Sequence, residues 1–313
     1  MRTAFVQALV DLADRDPAIV LLTGDLGYTV LEPFSERFPD RFFNVGVAEQ
    51  NMLGLATGLA ANGFKPYAYS IATFASMRPY EFLRNGAVLH QLPVRVVGIG
   101  SGVDYGHNGI THYALEDVAI MRVQPDLAVV APCDPQQTRA AIVATADLPG
   151  PAYLRLGKDS TPVPGLDGRF RLGRAELIGD GTDLAIVTYG GIATEAVEAA
   201  RLLADQGVGA TVAVVACLAP APVDDLAALL DTVPLAVTLE SHYVVGGVGS
   251  LVAEVVADHG LGCRVVRLGM RDIPRGTTGE APYLLDRNGL SAPHVAATAL
   301  DALQGLHRLT SLG

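Results

Sequence analysis

Short, continuously apolar runs alternate with amphipathic helical patterns along nearly all of the 313 residues. Runs over 18–22, 65–71, 93–99, 127–131 and 151–156 read as strands with no polar face, and helical patterns lie between them. Asp134 followed by Pro135 marks one helix start, a capping side chain before a proline in the first turn. Strands that are apolar on both faces must be covered on both faces. The fold class expected is therefore α/β, with a mostly parallel sheet clothed by helices. A segment rich in Pro, Gly, Asp and Ser over 158–171 interrupts the pattern. A second alternation follows, with strands over 183–189, 209–216, 235–240 and 263–268 and helices over 193–206, 223–231, 249–259 and 292–303. The reading is two domains, 1–160 and a smaller α/β domain over 183–313, joined by a linker over 161–182, each large enough to bury its own core.

Composition narrows the function classes. A formal charge of -11, with no Lys/Arg cluster, argues against nucleic acid or a membrane surface as partner. No apolar run reaches spanning length, and the N-terminus lacks the pattern of a secretory signal. Cys133, Cys217 and Cys263 are odd in number and lack metal-ligand spacing, which fits a reducing cytoplasm and gives no metal ligand set.

Active sites in open α/β sheets form outside the carboxyl ends of the strands. The polar residues expected there are Asp25 and Thr29, then Glu49, then Thr73 and Phe74, then a loop over 100–111 that holds Asp104, His107 and Asn108 and leads to His112. Glu49 is the most telling. It opens a helix that runs Met52-Leu53-Gly54-Leu55-Ala56 with almost no charge. A carboxylate beside so apolar a helix is expected to sit in poor solvent, the setting that tunes proton-transferring groups. Taken alone, an acidic residue in a first helical turn would need no explanation beyond the helix dipole.

Three segments together carry a resemblance. Gly46-Val47-Ala48-Glu49-Gln50-Asn51, Thr73-Phe74 and Asn108-Gly109-Ile110-Thr111-His112 resemble the pyrimidine-binding half of transketolase. The stretch from Pro33-Phe34-Ser35 to Phe38-Pro39-Asp40-Arg41 is similar to 1-deoxyxylulose-5-phosphate synthase. Val237-Thr238-Leu239-Glu240-Ser241-His242 and Gly246-Gly247-Val248-Gly249-Ser250 resemble the transketolase C-terminal domain.

The resemblance implies thiamine diphosphate chemistry. In that family the glutamate of this segment contacts N1′ of the cofactor's aminopyrimidine and shares a proton there, the role Glu49 would carry. Phe74 and Tyr80 match aromatics of the pyrimidine pocket, Met77 replaces a pocket residue of other chemistry, and Asp25-Leu26 falls at a cofactor-proximal pair. His112 matches a histidine that contacts the substrate carbonyl or hydroxyl. Arg2, Thr29 and Lys158 fall at positions that bind sugar phosphate; Arg155 lies on the same strand end as Lys158, and His107 and Asn108 lie in the substrate loop. Asn108 stands where the family has aspartate and Lys158 where it has arginine, so the substrate differs from ordinary pentose phosphates.

A fused transketolase also holds the diphosphate through Mg²⁺ with a GDG triplet and a later Asn. Gly179-Asp180-Gly181 is present, but no Asn lies between Asn108 and Asn288, and the triplet reads as a tight turn. The resemblance therefore implies one subunit of a split enzyme. An N-terminal transketolase subunit would supply the diphosphate and Mg²⁺ domain, most simply in a two-plus-two heterotetramer. The reaction expected is transfer of a ketol or related acyl unit from a ketose or 2-oxo acid to an aldehyde. The alternatives are the beta subunit of a 2-oxoacid dehydrogenase decarboxylase component and a non-catalytic assembly subunit.

Overall fold

The structure, a computed structural model, describes residues 1–158, 161–276 and 278–310. The first half forms β1 Ile19–Thr23, β2 Phe42–Asn44, β3 Lys65–Ile71, β4 Arg95–Ile99, β5 Ala128–Val130 and β6 Ala152–Leu156. The second half forms β7 Glu176–Ile178, β8 Leu184–Thr188, β9 Ala210–Val214, β10 Cys217–Ala219, β11 Leu235–Tyr243 and β12 Arg264–Met270. Among the described residues these make a seven-stranded sheet, ordered β10-β5-β6-β4-β3-β1-β2, and a five-stranded sheet, ordered β12-β11-β8-β9-β7. The fold is two-domain α/β with a mostly parallel first sheet. β1, β4, β6 and β8 are buried along their whole length, as continuous apolar strands between two helical layers must be. Asp134 caps the helix Pro135–Thr145 as expected, its side chain accepting from the Gln137 amide at 2.7 Å.

Two short strands lie away from where the sequence places them. β7 falls inside the segment read as linker, yet it pairs antiparallel with β9 and so belongs to the second sheet. β10 follows β9 in the second half but pairs antiparallel with β5, Cys217 opposite Val130, and so extends the first sheet. The two halves are therefore laced together. The boundary expected at 160 falls on a residue outside those described. Gly179-Asp180-Gly181 forms the turn between β7 and β8, where the Gly181 Cα lies against the Gly209 backbone and leaves no room for a side chain.

The two sheets meet across a buried polar network. Arg155, on β6, bonds Asp117 Oδ2 through Nε at 2.8 Å and reaches the carbonyls of Ala114 and Ser241 at 2.9 and 3.0 Å. Tyr153 donates to the same Asp117 oxygen at 2.7 Å. On the other side Tyr189 donates to Glu240 Oε2 at 3.3 Å, and Glu240 accepts the amides of Val248 and Gly249 at 2.9 and 3.0 Å, at the start of the helix Val248–His259. Gly102 lies so close to Ser241 that any side chain there would overlap it, which brings the 100–112 loop onto the second domain.

This network fixes the sign of a pH dependence. Burial pushes the Glu240 carboxyl up to about 7, against the pull of the two helix amides, while burial pushes His242 down to about 4. The raised carboxyl makes folding less favourable as pH rises from about 4.5 to about 7. The lowered imidazole acts in the opposite direction, adding stability as pH rises from about 4 to about 6.5. The two oppose each other over roughly pH 4.5–6.5. Glu240→Gln removes the first contribution alone. Chemical denaturation of the variant should therefore show stability rising with pH over that window, by up to about 1.4 kcal/mol per pH unit, more steeply than in the parent. Parallel profiles would refute the assignment.

Candidate active site

In the first sheet the chain runs from β1 outward to β2, then returns to place β3 on the other side of β1. Connections leave in opposite directions at β1/β3, and a crevice opens outside the carboxyl ends there. Gly24 follows β1, Ser70 lies at the end of β3, and the helix Ala72–Met77 begins directly after it. Glu49 opens the helix Glu49–Ala61, three turns of small and apolar residues whose Met52, Leu53 and Ala56 are buried in the core.

Glu49 is 2 % exposed. Both its oxygens are engaged: Oε1 accepts from Ser70 Oγ at 3.0 Å and Oε2 from Arg78 at 2.8 Å. A methyl added at Gly24 would come within 3.4 Å of Oε1, so glycine there leaves the carboxylate its space. The Arg78 guanidinium also lies over the Phe74 ring, its carbon 3.8 Å from the centroid. Phe74 also meets His112 edge-on, centroids 5.2 Å apart, and His112 in turn neighbours Tyr105 at 6.0 Å. Thr111 Oγ1 sits 3.0 Å from His112 Nδ1, which orients the ring. Lys158 lies over the Tyr105 ring, its ammonium 4.5 Å from the centroid and its amide held by Asp104 at 2.9 Å. Burial pushes the Tyr105 phenol up, and nearby Arg2 partly offsets that.

A chain of contacts thus links Lys158, Tyr105, His112, Phe74 and Arg78 to the buried Glu49, with Arg2 acting electrostatically on Tyr105. Asp25 stands at the rim. It is exposed, in the left-handed region at φ 58°, and hydrogen bonds from Asn44 and Tyr28 hold its carboxyl below the usual range. The Leu26 carbonyl accepts from Thr23 at 2.8 Å. Thr29 is exposed with its amide on Glu32 at 2.8 Å. Met77, His107 and Asn108 are exposed on the surrounding segments. Two residues have their polar groups engaged within the fold. Tyr80 donates to the Ile120 carbonyl at 2.7 Å and takes a short contact from Gln124, so its hydroxyl serves the fold. Arg155 is 2 % exposed and its guanidinium is committed to Asp117 in the interdomain network, yet it lines the same cavity as Asp104 and Lys158. Ser70 and Arg78 join the site without a sequence motif that marks them. Arg78 sits four residues after Phe74, the spacing that stacks side chains along a helix face and the one signal that could have found it. Among the described residues no group of three His, Cys, Asp or Glu is placed to hold a metal ion.

A buried carboxylate that already accepts from a planar cation lying on an aromatic face is a donor set that fits an aminopyrimidine. Comparison with known proteins agrees. Residues 1–164 match the transketolase pyrimidine binding domain, and residues 173–295 match the transketolase C-terminal domain. The putative transketolase C-terminal section of Methanocaldococcus jannaschii is 35 % identical, covering 97 % of this chain and 96 % of that protein. The 6-deoxy-6-sulfo-D-fructose transketolase subunit SqwH of Clostridium sp. is 36 % identical over 96 % of this chain and 93 % of its own length. A split-gene transketolase solved as an inactive beta4 tetramer superposes with a TM-score of 0.87 at 38 % identity, covering 97 % of this chain and 98 % of that one. The chain belongs to the transketolase family and carries its pyrimidine-binding and C-terminal domains as a split-type subunit.

Proposed function

We propose that the chain is the pyrimidine-side subunit of a thiamine-diphosphate-dependent, transketolase-like transferase of aldehyde or ketone residues, active only with a partner subunit. The observation that carries this reading is the buried Glu49 carboxylate at the β1/β3 crevice, joined through Arg78 to the Phe74 ring. When bound, thiamine diphosphate supplies a carbon nucleophile and electron sink for making and breaking a bond next to a carbonyl. Glu49 holds and shares a proton at the pyrimidine N1′, and its water-poor setting strengthens that charge-assisted bond. Phe74 offers an apolar ring face that keeps water from the pyrimidine. His112 hydrogen-bonds the substrate carbonyl or hydroxyl, Arg2 and Lys158 attract an anionic end of the substrate, and Thr29 can donate a hydrogen bond to it. Asn108 in place of aspartate favours a substrate other than an ordinary pentose phosphate.

An N-terminal transketolase subunit supplies the diphosphate and Mg²⁺ domain, in a two-plus-two heterotetramer. Two observations support a partner. The similar split-gene protein is described as an inactive beta4 tetramer. Large apolar side chains stand exposed on the segments around the site: Tyr28 69 %, Val47 71 %, Met77 45 % and Phe43 41 %. The reading is tested by mixing the chain with the diphosphate-binding subunit, Mg²⁺ and thiamine diphosphate, then following a ketose donor and an aldehyde acceptor by mass spectrometry. A lengthened aldehyde is expected. Acyl transfer to a lipoyl protein instead would identify a 2-oxoacid dehydrogenase component, and no turnover with any carbonyl donor an assembly subunit.

A further inference from the structure

The carboxylate expected to meet the cofactor is not open to it. The Glu49 side chain is 1 % exposed, its two oxygens are taken by Ser70 and Arg78, and the guanidinium of Arg78 also covers the Phe74 ring. Ser70 belongs to a strand and is fully buried. Arg78 is different: it lies just past the helix Ala72–Met77 and its side chain is 43 % exposed, so it can leave. A guanidinium and a protonated aminopyrimidine share three properties: each is planar, each is a cation with in-plane N–H donors, and each stacks on an aromatic face. Arg78 therefore holds at once the two contacts that the pyrimidine ring requires.

We propose that Arg78 is a placeholder for the aminopyrimidine. In the empty chain its guanidinium neutralises the buried Glu49 and fills the space over Phe74. On cofactor entry it gives up Glu49 Oε2 and the ring face and moves outward to solvent. The placeholder lets a desolvated carboxylate exist in a subunit that has no cofactor, since a buried charge left without a partner strongly destabilises a fold. It also makes cofactor binding an exchange of one planar cation for another, which lowers net affinity by the strength of the contact displaced. This inference rests on the thiamine reading of the site and adds the residue that regulates it.

The two arrangements differ in linkage. If Arg78 leaves Glu49 when the pyrimidine arrives, Arg78→Met harms the empty protein and leaves the loaded one nearly unchanged. Thermal unfolding would be followed for the complex of this chain with its diphosphate-binding subunit, with Mg²⁺ and with or without saturating thiamine diphosphate. The expected result is a lower melting temperature for empty Arg78→Met, and a cofactor-induced rise larger in the variant than in the parent. Isothermal titration should show a correspondingly tighter cofactor. In the chain alone, Glu49→Gln added to Arg78→Met should restore part of the lost melting temperature, because no charge is then stranded. A parent complex that shows no cofactor-induced rise would overturn the thiamine reading and this inference with it. A clear rise in the parent that equals or exceeds the rise in Arg78→Met would overturn the placeholder alone and leave Arg78 as a residue that stays on Glu49 in the loaded site.

Discussion

Glu49→Gln should lower turnover of the reconstituted complex by roughly 10²–10⁴-fold, the range of a positioned acid–base group, while the complex still assembles. The amide is close in size and can still accept from Ser70, so packing around the helix start is preserved. It cannot carry the charge that shares a proton with a pyrimidine nitrogen. Steady-state rates, paired with the mass of the assembled complex, separate the two effects. Activity within a few fold of the parent would remove Glu49 from the proton relay. Loss of assembly would mean that the Glu49–Arg78 pair is chiefly structural.

The second large effect lies between the domains. Asp117→Ala should cost about 3–5 kcal/mol of stability, because it strands Arg155 at 2 % exposure. Burial opposes the charge on Arg155, and Asp117 overcomes that and raises the guanidinium pKa. Tyr153 would lose its acceptor as well, and its phenol is buried. The same change should loosen the contact with the second sheet, since Arg155 also holds the Ser241 carbonyl. Adding Arg155→Met to Asp117→Ala should recover part of the loss, as replacing a whole buried pair costs less than breaking it. Denaturant midpoints measure both variants. A loss below about 1 kcal/mol for Asp117→Ala would show that the pair contributes little.

How much of this was legible from sequence depends on where the constraint comes from. Strands buried on both faces leave continuous apolar runs, so β1, β3, β4, β6 and β8 fall where the runs are. Glu49, Phe74 and His112 are visible because each stands in a short recognisable segment at a strand end. Ser70 and Arg78 are not, since their role arises only when β3 and the residue after the helix Ala72–Met77 close over a carboxylate 21 and 29 residues earlier. Arg155 shows what strand-end reading leaves out: its place beside Lys158 is legible, but its buried pairing with Asp117 arises only when a helix 38 residues earlier packs against β6. Lys158, beyond the strand, lines the same cavity with its ammonium over Tyr105. β10 escapes for another reason. Three residues carry no period, and their pairing with β5 bridges nearly ninety positions, so only tertiary packing selects the sheet they join.

The central claim is that the chain can hold one end of the cofactor and needs a partner for the other. Equilibrium titration of thiamine diphosphate with Mg²⁺ into the purified chain, alone and mixed with the diphosphate-binding subunit, tests it most directly. The account predicts no saturable binding by the chain alone and saturable binding by the mixture. Tight binding by the isolated chain would contradict it.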